Sequence, residues 1–357
     1  MSRSNKEVLL RSSNWPATAP WRNLRLRADL LRRLRAFFES RDFLEVETPQ
    51  LSSEAVVETH IDPLAVPLRD DPRGRNTGRP MWLQASPEGG MKRLLASAPS
   101  DVDAPRSIYQ IARAFRGGES GHQHNVEFTL AEWYCLDQDM PAAMQLLADL
   151  CQALLENPTE NSSATQFISY RQAFLKHAEI DPLTAETHEL VTLATASGVA
   201  APPQLGDDRD AWLDLLLTDL VLPRFSPDAP TILYDYPASQ AALARIGNPE
   251  PAAGSLDTAD SLAVAKRFEL FYGEVELANG YWELLDADEL RRRSEAANLA
   301  RRADGRAELP IPERLLASME SGLPSCSGCA LGIDRVVMLA AGAESIEEVI
   351  ALPTSRA

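Results

Sequence analysis

Between Arg113 and Tyr134 the chain reads R-A-F-R-G-G-E-S-G-H-Q-H-N-V-E-F-T-L-A-E-W-Y, and residues able to do chemistry are densest here. Arg116 precedes the pair Gly117-Gly118, and Glu119, His124 and Asn125 follow. Phe115 and Arg116 close one strand, and a turn-rich run passes through Gly121. Glu127, Thr129 and Ala131 then alternate with Phe128 and Leu130 at strand period. A cation at a strand end beside a glycine-bearing loop suits a phosphate. Three further groups of polar residues stand out. These are Ser86-Pro87-Glu88, the run Glu276-Leu277-Ala278-Asn279 through Glu283, and Ala330-Leu-Gly332-Ile-Asp-Arg335.

Each group sits at the end of a predicted element. Ser86 and Pro87 have the types of a helix cap and first helical residue, which puts the Glu88 carboxylate in a first turn. From Leu24 to Ser40, Leu26, Leu30, Leu31, Leu34, Phe37 and Phe38 recur at helical spacing with arginines opposite. A strand is expected over 41–51, closed by Pro49. Residues 67–80 form a turn-rich loop. Residues 138–225 read as a mainly helical insertion, broken near 157–164 and at Pro202-Pro203. Strands return at 231–236, 268–272 and 274–278, and a charged helix begins near Asp286. Residues 1–20 form an N-terminal arm and 21–357 one catalytic domain. Periodicity alone gives mixed α and β.

Composition narrows the function classes. The 357 residues hold 45% hydrophobic residues, enough for a sizeable core, and 35 Lys+Arg against 52 Asp+Glu leave a net charge of −17. Such a balance argues against a broad basic footprint for nucleic acid or anionic membrane. No run approaches the roughly 18 apolar residues of a spanning helix, and the N-terminus lacks the apolar core of a signal peptide. The four cysteines do not make a disulfide framework, so a cytoplasmic location is expected. Cys326 and Cys329 have C-x-x-C spacing, but zinc would need two further ligands, and no redox-type βαβ pattern surrounds them. We read them as structural.

The order of these groups resembles the class II aminoacyl-tRNA synthetases, in their lysyl-specific version. Helix, strand and proline over 24–51 are similar to motif 1, which in that family builds a dimer interface. Arg116, His124, Asn125, Glu127, Phe128 and Thr129 match motif 2, and Gly332 through Arg335 match motif 3, with Ala330 where its first glycine stands. The resemblance implies an α+β fold, an antiparallel sheet flanked by helices, and ATP and Mg²⁺ as substrate and cofactor. It implies that Arg116 contacts the ATP α-phosphate, Phe128 stacks on adenine and Arg335 grips the γ-phosphate. Gly117, Gly118, Glu119, His124, Asn125, Glu276, Leu277 and Gly332 complete the ATP site, with Glu276 also reaching Mg²⁺. Ser86, Pro87, Glu88, Tyr134, Asn279, Glu283 and Ala330 would line the amino-acid pocket. Glu88 takes the ammonium near the reacting carboxylate, Asn279 that carboxylate, and Glu283 with Tyr134 the side-chain ammonium. Charge agrees, since a diamino acid needs two anionic partners and a polar clamp.

Motif 1 begins too early for the anticodon-reading barrel of a lysyl-tRNA synthetase to precede it. Among shortened relatives, the chain resembles the lysine ligases that modify elongation factor P, through Cys326-Ser-Gly-x-Ala-Leu-Gly and Pro237-Ala-Ser-Gln-Ala-x-Leu-Ala. That family joins (R)-β-lysine, less readily α-lysine, to a lysine ε-amino group. Elongation factor P and β-lysine or lysine are therefore the expected partners, with a homodimer and without tRNA or membrane. A truncated tRNA-charging enzyme and an inactive binding paralogue stay open. Gly118 departs from the family, which has an acid there; either Glu119 serves instead or ATP binding is weakened. His122 and Gln123 differ from its usual loop residues.

Overall fold

The computed structural model describes residues 15–69, 71, 73, 78–97, 103–155, 164–202, 205–249 and 262–357. Most of the expected N-terminal arm and of the polar stretch 157–164, and parts of the loop 67–80, lie outside them. The apolar stripe read near the start folds as α1, Trp21–Glu39, burying Leu30, Leu34, Phe37 and Phe38. The strand expected over 41–51 is reduced to Leu44–Glu45 (β1). Pro49 cannot donate to a ladder, and the chain leaves to form a separate three-stranded sheet. Its strands are Leu51–Ser52 (β2), Ala65–Leu68 (β3) and Arg79–Leu83 (β4), in the order β2-β4-β3.

Helix α2 spans Glu88–Ser97, and the hairpin follows as β5, Ser107–Phe115, and β6, Glu127–Leu136. After it come α3 (Met140–Leu155), β7 (Gln166–Ser169), α4 (Tyr170–His177), α5 (Thr187–Ala196) and α6 (Arg209–Leu216). Then follow β8 (Pro230–Pro237), β9 (Ile246–Gly247), β10 (Val264–Tyr272) and β11 (Val275–Trp282). The chain ends with α7 (Ala287–Ala303), α8 (Glu313–Glu320), β12 (Cys326–Gly332) and α9 (Ile333–Ala341). The main sheet has the order β1-β5-β6-β12-β11-β10-β8-β7, with β9 beside β10. Its pairs are antiparallel except β1 with β5 and β7 with β8, so the expected antiparallel sheet flanked by helices is present.

Strand period divides the sheet into two faces. On β6, Ala131 and Trp133 point into a core shared with Leu34 and Phe38 of α1, Leu147 and Leu150 of α3 and Val337 of α9. Glu132 and Tyr134, between and after them, line a cavity on the other face. Helices α2, α7 and α8 pack beside that cavity around Met91, Leu290, Leu315 and Met319. Helices α4 to α6 bury their own cluster, including Tyr170, Phe174, Trp212 and Leu213, against β8.

Two side chains fasten the layers. Arg27 of α1 donates to Asp334 Oδ1 at 2.5 Å and to Thr129 Oγ1 at 2.7 Å, while the Thr129 amide donates to Asp334 Oδ2 at 2.6 Å. Arg301 of α7, itself buried, donates from Nη1 to the carbonyls of Glu58 and Ile61 and from Nη2 to Asp62 Oδ1. The Asp62 carbonyl in turn accepts the Gly117 amide at 2.6 Å.

Close approach also dictates a residue type. A Cβ built on Gly280 would lie 2.3 Å from Phe268 Cζ and 3.0 Å from the Gly328 carbonyl. Phe268 is fully buried and cannot retreat. Gly280→Ala is expected to cost about 1–3 kcal/mol through overpacking, measured as a lower denaturant midpoint at unchanged slope. An unaltered midpoint would contradict this packing.

Candidate active site

Cross-strand register assembles the cavity floor. Ala330 pairs with Glu132 on one side and Asn279 on the other, and Asn279 pairs with Glu269. One step along, Gly328 lies between Tyr134 and Tyr281, and Tyr281 opposes Arg267. The cavity has a volume of about 510 Å³, and Ser86, Glu88, Arg116, Glu119, His124, Asn125, Phe128, Tyr134, Glu276, Leu277, Asn279, Glu283, Ala330, Gly332 and Arg335 all line it. Of the residues singled out from sequence, Pro87, Gly117 and Gly118 do not. Pro87 leads into α2, and the two glycines shape the turn after β5.

At one end of the cavity the groups are cationic. The Arg116 guanidinium lies 5.0 Å from the centre of the Phe128 ring and 3.7 Å from Glu119 Oε1, and its Nε donates to the Ala85 carbonyl at 3.4 Å. Gly118 takes a positive φ of 77° with open space around it, a conformation that favours glycine, and the next residue, Glu119, turns back to Arg116. Gly118 therefore leaves an acid within reach of the arginine, one position along. Arg335, in the first turn of α9, donates to the Glu276 carbonyl at 2.7 Å and to His124 Nε2 at 2.7 Å, with Glu276 Oε2 at 3.5 Å. Burial and the Arg335 charge hold the His124 pKa below its usual value, as a neutral imidazole accepting that bond requires. Gly332 caps α9 with no side chain in the way.

At the other end the groups are acidic and buried. Ser86 Oγ accepts the Glu88 amide at 3.1 Å, as a cap does, and donates to Glu132 Oε2 at 2.7 Å. Tyr134 donates to Glu132 Oε1 at 2.8 Å. Its single proton is thus committed, and its oxygen lone pairs remain to accept. Lys92, unremarked in the sequence, is 2% exposed, with Nζ 2.5 Å from Glu88 Oε1 and 2.5 Å from Glu283 Oε2. The two carboxylates assigned to a ligand's ammonium groups are therefore already joined by an internal cation. Neither Glu283 oxygen completes a well-aligned hydrogen bond among the described residues, and Asn279 Oδ1 is likewise buried and unpartnered while Nδ2 donates to Tyr281. The unmet Glu283 oxygens suit an ammonium donor, and the second N–H on Asn279 Nδ2 is left for a carboxylate.

Electrostatics follow from the crowding. Burial would lower the Lys92 pKa, but Glu283 and Glu88 hold it well above its usual value. Burial raises Glu132 to about 7, helped by Glu88 and opposed by the Ser86 and Tyr134 hydrogen bonds. It raises Glu283 to about 8 against the pull of Lys92. Glu276 is also raised, by burial and then Glu269. Glu132, Lys92, Glu58 and Arg267 were missed by sequence reading. Glu132 could have been found, because it lies two residues before Tyr134 on the same face of a strand. Cys326 and Cys329 both lie on β12 with buried thiols, and the described residues contain no group of three or more metal-ligating side chains.

Arginines from a strand-loop-strand and from a glycine-capped helix face a carboxylate-lined pocket across one antiparallel sheet. This is the architecture of a class II synthetase catalytic domain. The family model described as "tRNA synthetases class II (D, K and N)" matches residues 14–356, and the chain belongs to that family. Two curated relatives from Klebsiella pneumoniae strains, each named "Elongation factor P--(R)-beta-lysine ligase", are 43% identical over 347 residues, covering 97% of this chain and 99% of each relative. A relative of the same name from Yersinia enterocolitica is 40% identical over 346 residues, with the same coverage. The lysyl-type resemblance is thereby borne out.

Two measurements test the acidic pocket. Carboxyl groups raised to about 7 and 8 are largely protonated below those values, and an ammonium ligand binds the ionised form. Lysine affinity should therefore rise from pH 6 to pH 8 with release of protons, seen by calorimetry in buffers of different ionisation heat. A flat profile would count against the assignment. A Cβ on Gly328 would lie 2.3 Å from both Glu283 Oε1 and Tyr134 Cε1. Gly328→Ala should weaken lysine binding by at least about tenfold, the equivalent of about 1.4 kcal/mol, with ATP affinity little changed.

Proposed function

We propose that this chain activates (R)-β-lysine with ATP and joins it to the ε-amino group of a lysine of elongation factor P. The observation that carries the reading is the division of one cavity into a cationic end, Arg116 and Arg335, and an acidic end, Glu88, Glu132 and Glu283. The names of relatives at 40–43% identity over nearly their whole length support the substrate pair.

In this reading the ATP α-phosphate meets Arg116, adenine stacks on Phe128, and Arg335 takes the γ-phosphate, with Gly117, Gly118, Glu119, His124, Asn125, Leu277 and Gly332 around them. Glu88 receives the ammonium nearer the reacting carboxylate. Glu283 and Tyr134 receive the distal one, Asn279 turns its amide N–H to the carboxylate, Ser86 and Ala330 shape the wall, and Pro87 leads Glu88 into α2. Glu132 keeps the Tyr134 proton engaged, so the phenol only accepts. The substrate carboxylate is already a nucleophile and needs no base. The barrier lies in bringing two anions together, and the arginines offset their repulsion while the pocket fixes the line of attack on the α-phosphate. Positioning of this kind supplies about 7–11 kcal/mol. Pyrophosphate leaves and an aminoacyl-adenylate remains, which the acceptor amine then attacks.

Mg²⁺ fits the same reading. Glu276 offers one cavity-facing carboxylate, which suits a cation held chiefly by phosphate oxygens; bound there, the ion would neutralise triphosphate charge. A homodimer through the 24–51 region is supported by the exposed Leu44 on the edge strand β1. No helix among the described residues is long and apolar enough to cross a membrane, and we place the enzyme in the cytoplasm.

Incubation with ATP, (R)-β-lysine and elongation factor P should add one lysyl mass to the factor, with pyrophosphate exchange dependent on the amino acid. Exchange without a mass gain, accompanied by charging of tRNA, would replace the protein acceptor with tRNA. Absence of exchange would leave a binding paralogue.

A further inference from the structure

We propose that Glu58 is the base that takes a proton from the acceptor lysine as it attacks the adenylate, an inference that rests on the protein-lysine ligase reading above. Transfer differs from activation in one respect. An ε-ammonium, with a pKa of about 10.4, is no nucleophile until it loses a proton, and the activation step supplies no base for it.

The cavity holds several carboxylates, and nearly all are engaged. Glu88 and Glu283 contact Lys92, Glu132 accepts from Ser86 and Tyr134, and Glu276 and Glu119 face Arg335 and Arg116. Asp214 accepts from Gln240 at 2.8 Å, and Asp334 is held by Arg27. Among the described residues the Glu58 side chain alone of these has no hydrogen bond or ion pair, although it is half-buried and lines the same cavity. A carboxylate without a partner is free to take a proton.

Its position is fixed from behind. Arg301 Nη1 lies 3.1 Å from the Glu58 carbonyl, 3.5 Å from that of Thr59 and 3.0 Å from that of Ile61. Arg306 Nη1 adds the Thr59 carbonyl and Asp62 Oδ2 at 3.4 and 3.3 Å, and the Asp62 carbonyl holds the Gly117 amide beside Arg116. Val57, the residue before Glu58, is buried and anchors the chain there. The backbone of residues 58–62 is thus pinned between α7 and the loop that bears Arg116, and the Glu58 side chain enters the cavity from it.

The groups that act on Glu58 are Glu88 of α2, Arg116 after β5, Arg267 of β10 and Arg293 of α7, and Glu58 in turn acts on Tyr281 of β11. Burial first, and then Glu88, raise its pKa to about 7, with the three arginines opposing. A base near the working pH is both ionised and able to hold a proton. In the transfer step one ε-ammonium proton passes to a Glu58 oxygen, and the freed lone pair forms the C–N bond at the adenylate carbonyl. The bond from that carbon to the phosphate oxygen breaks, its electron pair leaving with AMP. The second proton on nitrogen passes to the departing phosphate, so the amide forms with atoms and charge in balance. Both protons end in solvent.

Glu58→Gln separates the steps. Pyrophosphate exchange with (R)-β-lysine should stay within about threefold of the parent, while transfer to elongation factor P at pH 7 falls about 100-fold. The transfer deficit should shrink toward pH 9, where about a hundredfold more of the acceptor amine is already neutral than at pH 7. Hydroxylamine, a nucleophile already neutral at pH 7, should trap the adenylate equally well in both proteins. His60, exposed at the cavity wall, is the rival group, and His60→Asn should transfer normally. Normal transfer by Glu58→Gln overturns the proposal, as does a parallel loss of exchange and transfer, an equal loss with hydroxylamine, or a transfer defect confined to His60→Asn. Failure of the parent protein itself to modify elongation factor P would instead overturn the ligase reading.

Discussion

Asp334 joins three segments far apart in the chain. It accepts from Arg27 on the first helix and from the Thr129 amide on the motif 2 strand, and it stands next but one to Gly332 on the motif 3 turn. A buried carboxylate that lost its partners would be costly, on the order of 3–5 kcal/mol, so the three segments are held to one relative placement. That placement brings the segments that bear Arg116 and Arg335 to the same cavity. The strand that leads out of the Arg116 loop and the helix that bears Arg335 are thus tied together through the fold's core.

The opposite end of the cavity meets a different constraint. Glu88, Glu132 and Glu283 are buried close together, and among the described residues Lys92 is the cation that bridges two of them. Three carboxylates against one ammonium leave room for two further positive charges, which is the number a diamino acid brings. Protons offset part of that deficit at Glu132 and Glu283, whose pKa values burial raises. Gly328 belongs to the same arrangement, because any side chain there would stand where Glu283 and Tyr134 meet.

Much of this was legible in the sequence. The string from Arg116 to Thr129 located the cationic end because its residues are contiguous in one strand-loop-strand unit. Glu88, Asn279 and Glu283 were legible through the motif order, and α1 and the insertion helices through apolar spacing. The internal cation was not, since a lysine in Met-Lys-Arg-Leu-Leu has the pattern of an exposed helical position and only tertiary packing buries it. The strand over 41–51 was overread because alternation persists in extended chain that Pro49 diverts from the ladder. Glu58 and Arg267 carried no local signal, as the segments around them gain meaning only when β10 joins β11 in the sheet and α7 packs on residues 58–62.

The clamp that Arg301 places on residues 58–62 works through the carbonyl oxygens of Glu58, Thr59 and Ile61, which every amino acid possesses, and through one side chain, that of Asp62. Apart from Asp62, the path of that segment is therefore indifferent to which side chains it carries. Side chains facing the cavity from it can change over evolutionary time, or by design, without unravelling the wall they hang from. The fold thus keeps one stretch of its cavity wall open to new substrates while the arginines and the sheet stay fixed.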